Sequence, residues 1–187
     1  MEREIYATDG EITIYHLSED DMEEYLKLYF GNEEIDEFIK RIAFKRTDNN
    51  YSIYDKNDEY CGNLDLQNPD SNTPEFGIEL VENKRNQGIG PKAIKLFAKD
   101  TYNRRNIKYF ILRAKRSNTH SRHVLEKLGC IYTETEPNRI KEYVAELERI
   151  MERPLSKKAK KIALSPPDEN EEILVYKYMP EAFLDKQ

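Results

Sequence analysis

The sequence is poor in cysteine, in long apolar runs and in net positive charge, and each shortage removes a class of function. Its two cysteines, Cys61 and Cys130, stand far apart, and no Cys or His falls at metal-ligand spacing around them. Neither a disulfide framework nor a metal site is indicated, and reduced thiols, as in the cytoplasm, are the expectation. No apolar stretch approaches the roughly 20 residues of a membrane span. The opening MEREIYATDGE is acidic and lacks the apolar centre of a signal peptide. Thirty Lys and Arg against 36 Asp and Glu leave a formal net charge of −6. Nucleic acid is thereby disfavoured as the main partner, because phosphate backbones reward a basic face. A small anion stays admissible, since one local basic patch is enough to hold it. Internal repeats and long low-complexity tracts are also missing. The 187 residues are expected to form one domain with a real core.

What is present is a mixed α/β order. EITIYHL (11–17) alternates like a half-buried strand. Ser18 and Asp21 stand at capping-box spacing and open a helix through Phe30, with Met22, Tyr25, Leu26 and Tyr29 as its apolar stripe. Gly31-Asn32 ends that helix, and Ile35, Phe38, Ile39 and Ile42 mark a second. YSIYD (51–55) and EYCGNLDL (59–66) flank a turn and read as a hairpin, and EFGIELV (75–81) follows as a third strand. A helix runs to about Arg105. IKYFILRA (107–114) is apolar on both faces, as a central strand would be. Ser117-Asn118 opens a helix that Gly129 closes; CIYTET (130–135) and EILVYKY (172–178) are the last strands. Between these two lies an insert, about 137–169, with Ile140, Val144, Leu147 and Ile150 at helical spacing. Its apolar stripe has to be covered, either as a lid or by a second copy of the chain in a homodimer.

The most informative stretch is NKRNQGIGPKAIKLF (83–97), a basic loop with two glycines running directly into an amphipathic helix. Gly88 and Gly90 let the backbone turn and a ligand approach, and Pro91 suits the first helical position. The free N–H groups of the first turn and the helix dipole attract an anion, with Lys84, Arg85 and Lys92 adding charge. A diphosphate fits such a socket. A Walker loop is excluded, because Gly90 is followed by Pro91 where that motif needs Lys-Ser/Thr. A dinucleotide fingerprint, Gly88-x-Gly90-x-x-Ala93, is formally present, but the next strand ends in Leu112-Arg113-Ala114-Lys115 without the ribose-gripping acid. An NADP-binding module using Arg113 is the weaker alternative.

Arg85-Asn86-Gln87-Gly88-Ile89-Gly90 resembles the Arg/Gln-x-x-Gly-x-Gly/Ala signature of the GNAT superfamily of acetyl-CoA-dependent N-acetyltransferases. Asn118-Thr119-His120-Ser121 and Val124-Leu125-Glu126-Lys127-Leu128-Gly129-Cys130 are similar to the branch that acetylates ribosomal-protein and other N-termini. The likeness covers about residues 11–135 and the last strand. It implies a central, mostly antiparallel sheet flanked by helices, and transfer of an acetyl group from acetyl-CoA to a primary amine. No metal is implied.

The resemblance also implies roles. The backbone of Arg85, Asn86, Gln87, Gly88, Ile89 and Gly90 would bind the pyrophosphate of coenzyme A, and Arg85 would add its charge. Leu80 and Val81 would pair with the pantetheine arm like a strand, and Asn118 would contact it. Glu75 and Glu79, on one face of their strand unless a bulge intervenes, are the candidate bases, each with the alternative of an ordinary exposed carboxylate. Many members carry a Tyr seven residues after the Asn; here that residue is Leu125. The same departure is found in the N-terminal branch, where a Ser three residues after the Asn faces the sulfur; the resemblance implies that place for Ser121, with a helix cap as the alternative. Missing that Tyr, the chain also admits a non-catalytic acyl-CoA-binding module. DDMEEY (20–25), NEEIDEF (32–38) and Asp65 hint at a cationic acceptor.

Overall fold

The computed structural model describes residues 3–30, 49–151, 154 and 171–179. Its elements in chain order are β1 (Ile5–Thr8), β2 (Ile12–His16), α1 (Met22–Phe30), β3 (Asn50–Asp55), β4 (Tyr60–Gln67), β5 (Glu75–Leu80), α2 (Ile89–Arg104), β6 (Phe110–Lys115), α3 (Thr119–Lys127), β7 (Ile131–Pro137), α4 (Ile140–Met151) and β8 (Glu172–Tyr178). The strands form one sheet of order β1-β2-β3-β4-β5-β6-β8-β7. Every neighbouring pair is antiparallel except β5 and β6, which α2 connects. A parallel pair needs such a crossover, because a tight turn cannot return the chain in the same direction.

Alternation along the strands decides what each face carries. Tyr51 and Ile53 of β3, Leu64 and Leu66 of β4 and Phe76 of β5 are buried with the inner side of α2, namely Ala93, Ile94, Phe97 and Ala98. The Phe97 ring meets those of Tyr6, Tyr51 and Phe76 at 5.3, 5.0 and 5.3 Å. Removing a ring at such a hub costs about 3–5 kcal/mol. Thr101, fully buried on the same helix, hydrogen-bonds the Tyr6 hydroxyl at 2.7 Å and donates to the Phe97 carbonyl at 2.7 Å. The other face is polar where α1 crosses it: Ser52, Asn63 and Asp65 lie there with Glu75 and Glu79.

Most elements stand where the pattern puts them. The Ser18 amide and hydroxyl both donate to the Asp21 carboxylate at 3.0 Å, and the buried Tyr54 hydroxyl donates to it at 2.7 Å. β5 holds an unbroken register against β4, from Gln67↔Glu75 to Gly62↔Leu80, so Glu75 and Glu79 do share a face. Three details differ. β1 is an added edge strand. β6 begins only at Phe110 and alternates, with Phe110, Leu112 and Ala114 buried and Arg113 exposed; it is central by its neighbours rather than apolar on both faces. β7 continues to Pro137, which shortens the insert helix to α4. The helix marked by Ile35, Phe38, Ile39 and Ile42, the acidic NEEIDEF run and the basic segment 156–164 lie outside the described residues.

Candidate active site

The site starts from a strand pair that stays joined at one end only. β5 and β6 share a single pair of partners, Glu75↔Ile111, with the Ile111 amide donating to the Pro74 carbonyl at 2.9 Å. Beyond it the two strands part. On its other side β5 is fully zipped to β4, and the Val81 amide extends the ladder to the Cys61 carbonyl at 3.0 Å. In an antiparallel ladder the bonded pairs alternate. Val81, Glu79 and Gly77 therefore bond toward β4, while Ile78 and Leu80 turn their N–H and C=O groups toward the gap.

Gly62 sets how closely β4 lies against this end of β5. Its φ is +152°, and a Cβ there would stand 2.1 Å from the Glu79 carbonyl and 2.8 Å from the Leu80 Cα. Only a residue without a side chain lets β4 approach β5 so closely.

The gap leads to the glycine loop. Gly88 has φ +77° and caps α2, which begins at Ile89 with the first helical bond from the Lys92 amide to the Gly88 carbonyl, 3.4 Å. A Cβ on Gly88 would meet nothing within 4 Å, so glycine is there for its backbone angle and the space beside it is open. The amides of Gly88, Ile89 and Gly90 meet no acceptor among the described residues. Pro91 falls third in the helix rather than first, because the left-handed Gly88 starts the helix earlier; it still lies in the first turn, where its missing N–H leaves no bond unmade. Unpaired amides at the positive end of a 16-residue helix fit a diphosphate. Arg85, Asn86 and Gln87 lie along the same loop, and Asn86 also has a positive φ, +61°.

The charges around this socket are already paired in part. Arg85 donates to the Leu80 carbonyl at 3.0 Å through Nε and to Glu79 at 2.7 Å through Nη2. Lys84 does not face the loop mouth: its ammonium is held by Asp55 at 2.7 Å and by Glu59, which ties the root of the loop to the β3–β4 turn. Val81 also departs from expectation. Its N–H is bonded to Cys61 and its C=O accepts the Lys84 amide at 3.0 Å, so the Ile78 N–H and C=O and the Leu80 N–H are the groups left facing the gap, the Leu80 carbonyl being taken by Arg85.

Glu75 and Glu79 have opposite surroundings. Glu75, 17% exposed, is clamped by Arg113, which also reaches Glu136 at 3.2 Å. This engages the guanidinium that an NADP reading would need. Glu79 is 46% exposed and, among the described residues, paired with Arg85 alone, itself 50% exposed. Near it, Asp65 is paired across from Gly77 with its carboxylate against that glycine. From α1, the Tyr29 hydroxyl donates to Asn63 Oδ1 at 3.3 Å. Burial, then the nearby Asp65 carboxylate, raises the Tyr29 pKa above the ordinary range, which keeps this hydroxyl a donor. Pattern does not single out Tyr29 or Asn63, because helical spacing alone counts Tyr29 as one more apolar stripe position.

Across the gap stands the start of α3. Asn118 is its cap: the side-chain Oδ1 accepts the Ser121 amide at 3.0 Å. Ser121 is therefore not the cap, and its hydroxyl meets no partner among the described residues. Neither cysteine suits nucleophilic work. Burial pushes the Cys61 thiol up to about 11 and the Cys130 thiol to about 12, far from the thiolate range.

Comparison with known proteins bears on the family and the fold. The family model described as "Acetyltransferase (GNAT) domain" matches residues 3–131. No curated protein sequence matches. Among solved structures, the dodecameric spermidine N-acetyltransferase of Vibrio cholerae superposes with a TM-score of 0.67 at 12% identity, over 96% of this chain and 99% of that one. A GNAT-family acetyltransferase of Bacillus anthracis gives 0.63 at 16%, over 95% and 98%. A ribosomal L7/L12 alpha-N-protein acetyltransferase gives 0.66 at 14%, over 95% and 94%. At these identities the likeness establishes the fold.

Proposed function

Since the chain belongs to the GNAT acetyltransferase family, we propose that it is an N-acetyltransferase that moves the acetyl group of acetyl-CoA to a primary amine, on a protein N-terminus or a small molecule. The observation that carries the details is the single Glu75↔Ile111 join followed by an open β5 edge that runs to the unpaired amides of Gly88, Ile89 and Gly90. The Ile78 N–H and C=O and the Leu80 N–H, which face the gap, suit the amide-bearing arm of coenzyme A, and the helix start suits its diphosphate. Acetyl-CoA, when bound, supplies an acetyl group activated as a thioester. Ile78 and Leu80 would hold the arm, with Val81 at the rim. Arg85, Asn86 and Gln87 would surround the diphosphate beside the three open amides. Asn118 keeps its Nδ2 for the arm after its Oδ1 has capped α3.

The proton work falls to few groups. An attacking amine arrives as an ammonium and has to lose a proton. Glu79 is our choice for that acceptor, directly or through water, because an exposed pair with Arg85 separates at little cost. Glu75 is assigned to the clamp with Arg113, and Ser121, with its hydroxyl uncommitted, to donating a hydrogen bond to the leaving sulfur, whose proton would come from the ammonium through the base or from water. Asp65 and Glu79 on one face favour a cationic acceptor. In this reading residues 1–187 act as one acetyltransferase domain, and the insert 137–169 covers the acceptor side or joins two copies. The dodecameric neighbour supports self-association. No described helix is long and apolar enough to cross a membrane.

The test is an amine panel of polyamines, small amines and peptides with free N-termini, read by release of free thiol from acetyl-CoA. Thiol release that depends on the amine is expected. Binding of coenzyme A without release for any amine would leave a non-catalytic acyl-CoA-binding module, and tighter binding of NADP(H) than of acetyl-CoA would overturn the reading.

A further inference from the structure

Glu171, the residue just before β8, is an acid with only 7% of its surface exposed. Its carboxylate accepts the Ser117 amide at 3.1 Å and the Ser117 hydroxyl in a second, shorter bond; Lys115 Nζ stands at 3.9 Å. The next residue continues the contact, since the Arg116 amide donates to the Glu172 carbonyl at 2.8 Å. Ser117 occupies the turn between β6 and α3. On one side the Asn118 amide closes that turn to the Lys115 carbonyl at 2.9 Å, and on the other Arg122 reaches back to the Arg116 carbonyl at 3.0 Å. The turn that presents Asn118 is thus fastened at Ser117 to a buried carboxylate from the far end of the chain.

A buried carboxylate is costly unless its oxygens are bonded, and an amide plus a hydroxyl satisfy it with directional bonds. Such bonds fix position to a fraction of an ångström. A helix start that has to meet a ligand across a gap needs that precision, because small misplacements of a contacting group cost large factors in binding or rate.

We infer that Glu171 is a positioning residue for the cofactor side of the cleft: by holding Ser117 it sets the place of Asn118 and Ser121. The inference rests on the functional reading above, in which those two residues meet the arm and the sulfur. It also gives the segment that returns from the insert a direct grip on the cofactor lip.

Coenzyme A binding by calorimetry, with steady-state constants for both substrates, tests it on the full chain. Glu171→Ala is expected to weaken coenzyme A binding on the order of ten-fold and to leave the KM of the amine unchanged. Glu171→Gln, whose amide oxygen still accepts from Ser117, should recover most of that loss. Ser117→Ala, an exposed residue that gives up one of the two bonds, should show a smaller loss in the same direction. Wild-type affinity in a folded Glu171→Ala, equal changes in both KM values, or a Gln variant as impaired as Ala would each overturn the inference. Should Glu171→Ala fail to fold, Ser117→Ala decides: unchanged coenzyme A affinity there refutes the role. An unaltered protein that binds no coenzyme A would remove the functional reading and this inference together, a result distinct from wild-type binding with indifferent variants.

Discussion

At Glu75 the strand β5 is paired on both sides, with Gln67 of β4 and Ile111 of β6; at Leu80 the only strand partner is Gly62 of β4, and the Leu80 carbonyl accepts from the Arg85 side chain instead. The closed end carries a carboxylate gripped by Arg113, the open end a half-exposed carboxylate beside the loop arginine. One strand thereby does two jobs. Its start holds the halves of the sheet together, and its end leaves the Ile78 backbone groups facing the gap, where the proposed cofactor arm would pair. The difference lies in what surrounds the strand rather than in the strand's own pattern, since Glu75 and Glu79 are the same residue type on the same face.

The largest effect should come from filling the close approach of β4 to the Leu80 end of β5. Gly62→Ala places a Cβ within 2.1 Å of the Glu79 carbonyl at a φ of +152°. The contact atoms are backbone, so the strands themselves have to move. Destabilisation of about 3–4 kcal/mol is expected by urea unfolding. A loss under about 1 kcal/mol would show that β4 and β5 tolerate more separation than the register implies.

Next come the two carboxylates, which should split stability from rate. Glu79→Gln, in an exposed pair, should change stability by less than about 1 kcal/mol while lowering kcat on the order of 100-fold. Arg113→Ala should do the reverse, removing about 1–2 kcal/mol of stability by leaving Glu75 without its cation, with a smaller effect on kcat. If thiol release by Glu79→Gln equals that of the unaltered chain, the base lies elsewhere and the two ends differ less than proposed.

The elements that frame this contrast are legible in the amino-acid pattern alone, the contrast itself is not, and the reason is physical. The alternation of EFGIELV, the glycines of the loop and the Asn118 start of a helix are local signals, and local physics decides them. β1 escapes because Ile5–Thr8 has adjacent buried residues, Tyr6 and Ala7, and a register shift between Ile5 and Ala7 breaks the alternation that marks a strand. Pro91 reads two positions too early because the positive φ of Gly88, which sets the true start, is a backbone angle that composition only permits. The opposite surroundings of Glu75 and Glu79 depend on Arg113 and Arg85, one of them from a strand that joins β5 only through the fold. Glu171 and Ser117 stay hidden for the same reason: their bond spans the whole insert.

The smallest effect concerns the root of the loop, and it carries a sign. Lys84 donates to Asp55 and Glu59. The bond to Asp55 holds that carboxyl below its ordinary value of 3.8, while the two acceptors raise the Lys84 ammonium above 10.5. A carboxyl depressed in the folded state stabilises it fully above pH 3.8, and the contribution is lost as pH falls through the depressed value. A raised ammonium stabilises below pH 10.5 and loses its contribution as pH rises through the raised value. The pair therefore adds a plateau between those limits and a slope outside each. Lys84→Met should lower the plateau slightly and flatten the acid slope, as read from thermal unfolding midpoints between about pH 2 and pH 5. The open amides of Gly88, Ile89 and Gly90 are reached from this root through Arg85, so coenzyme A affinity should fall modestly in the same variant. Unchanged affinity with a flattened acid slope would mean that the socket is held by α2 alone and owes nothing to the β3–β4 turn.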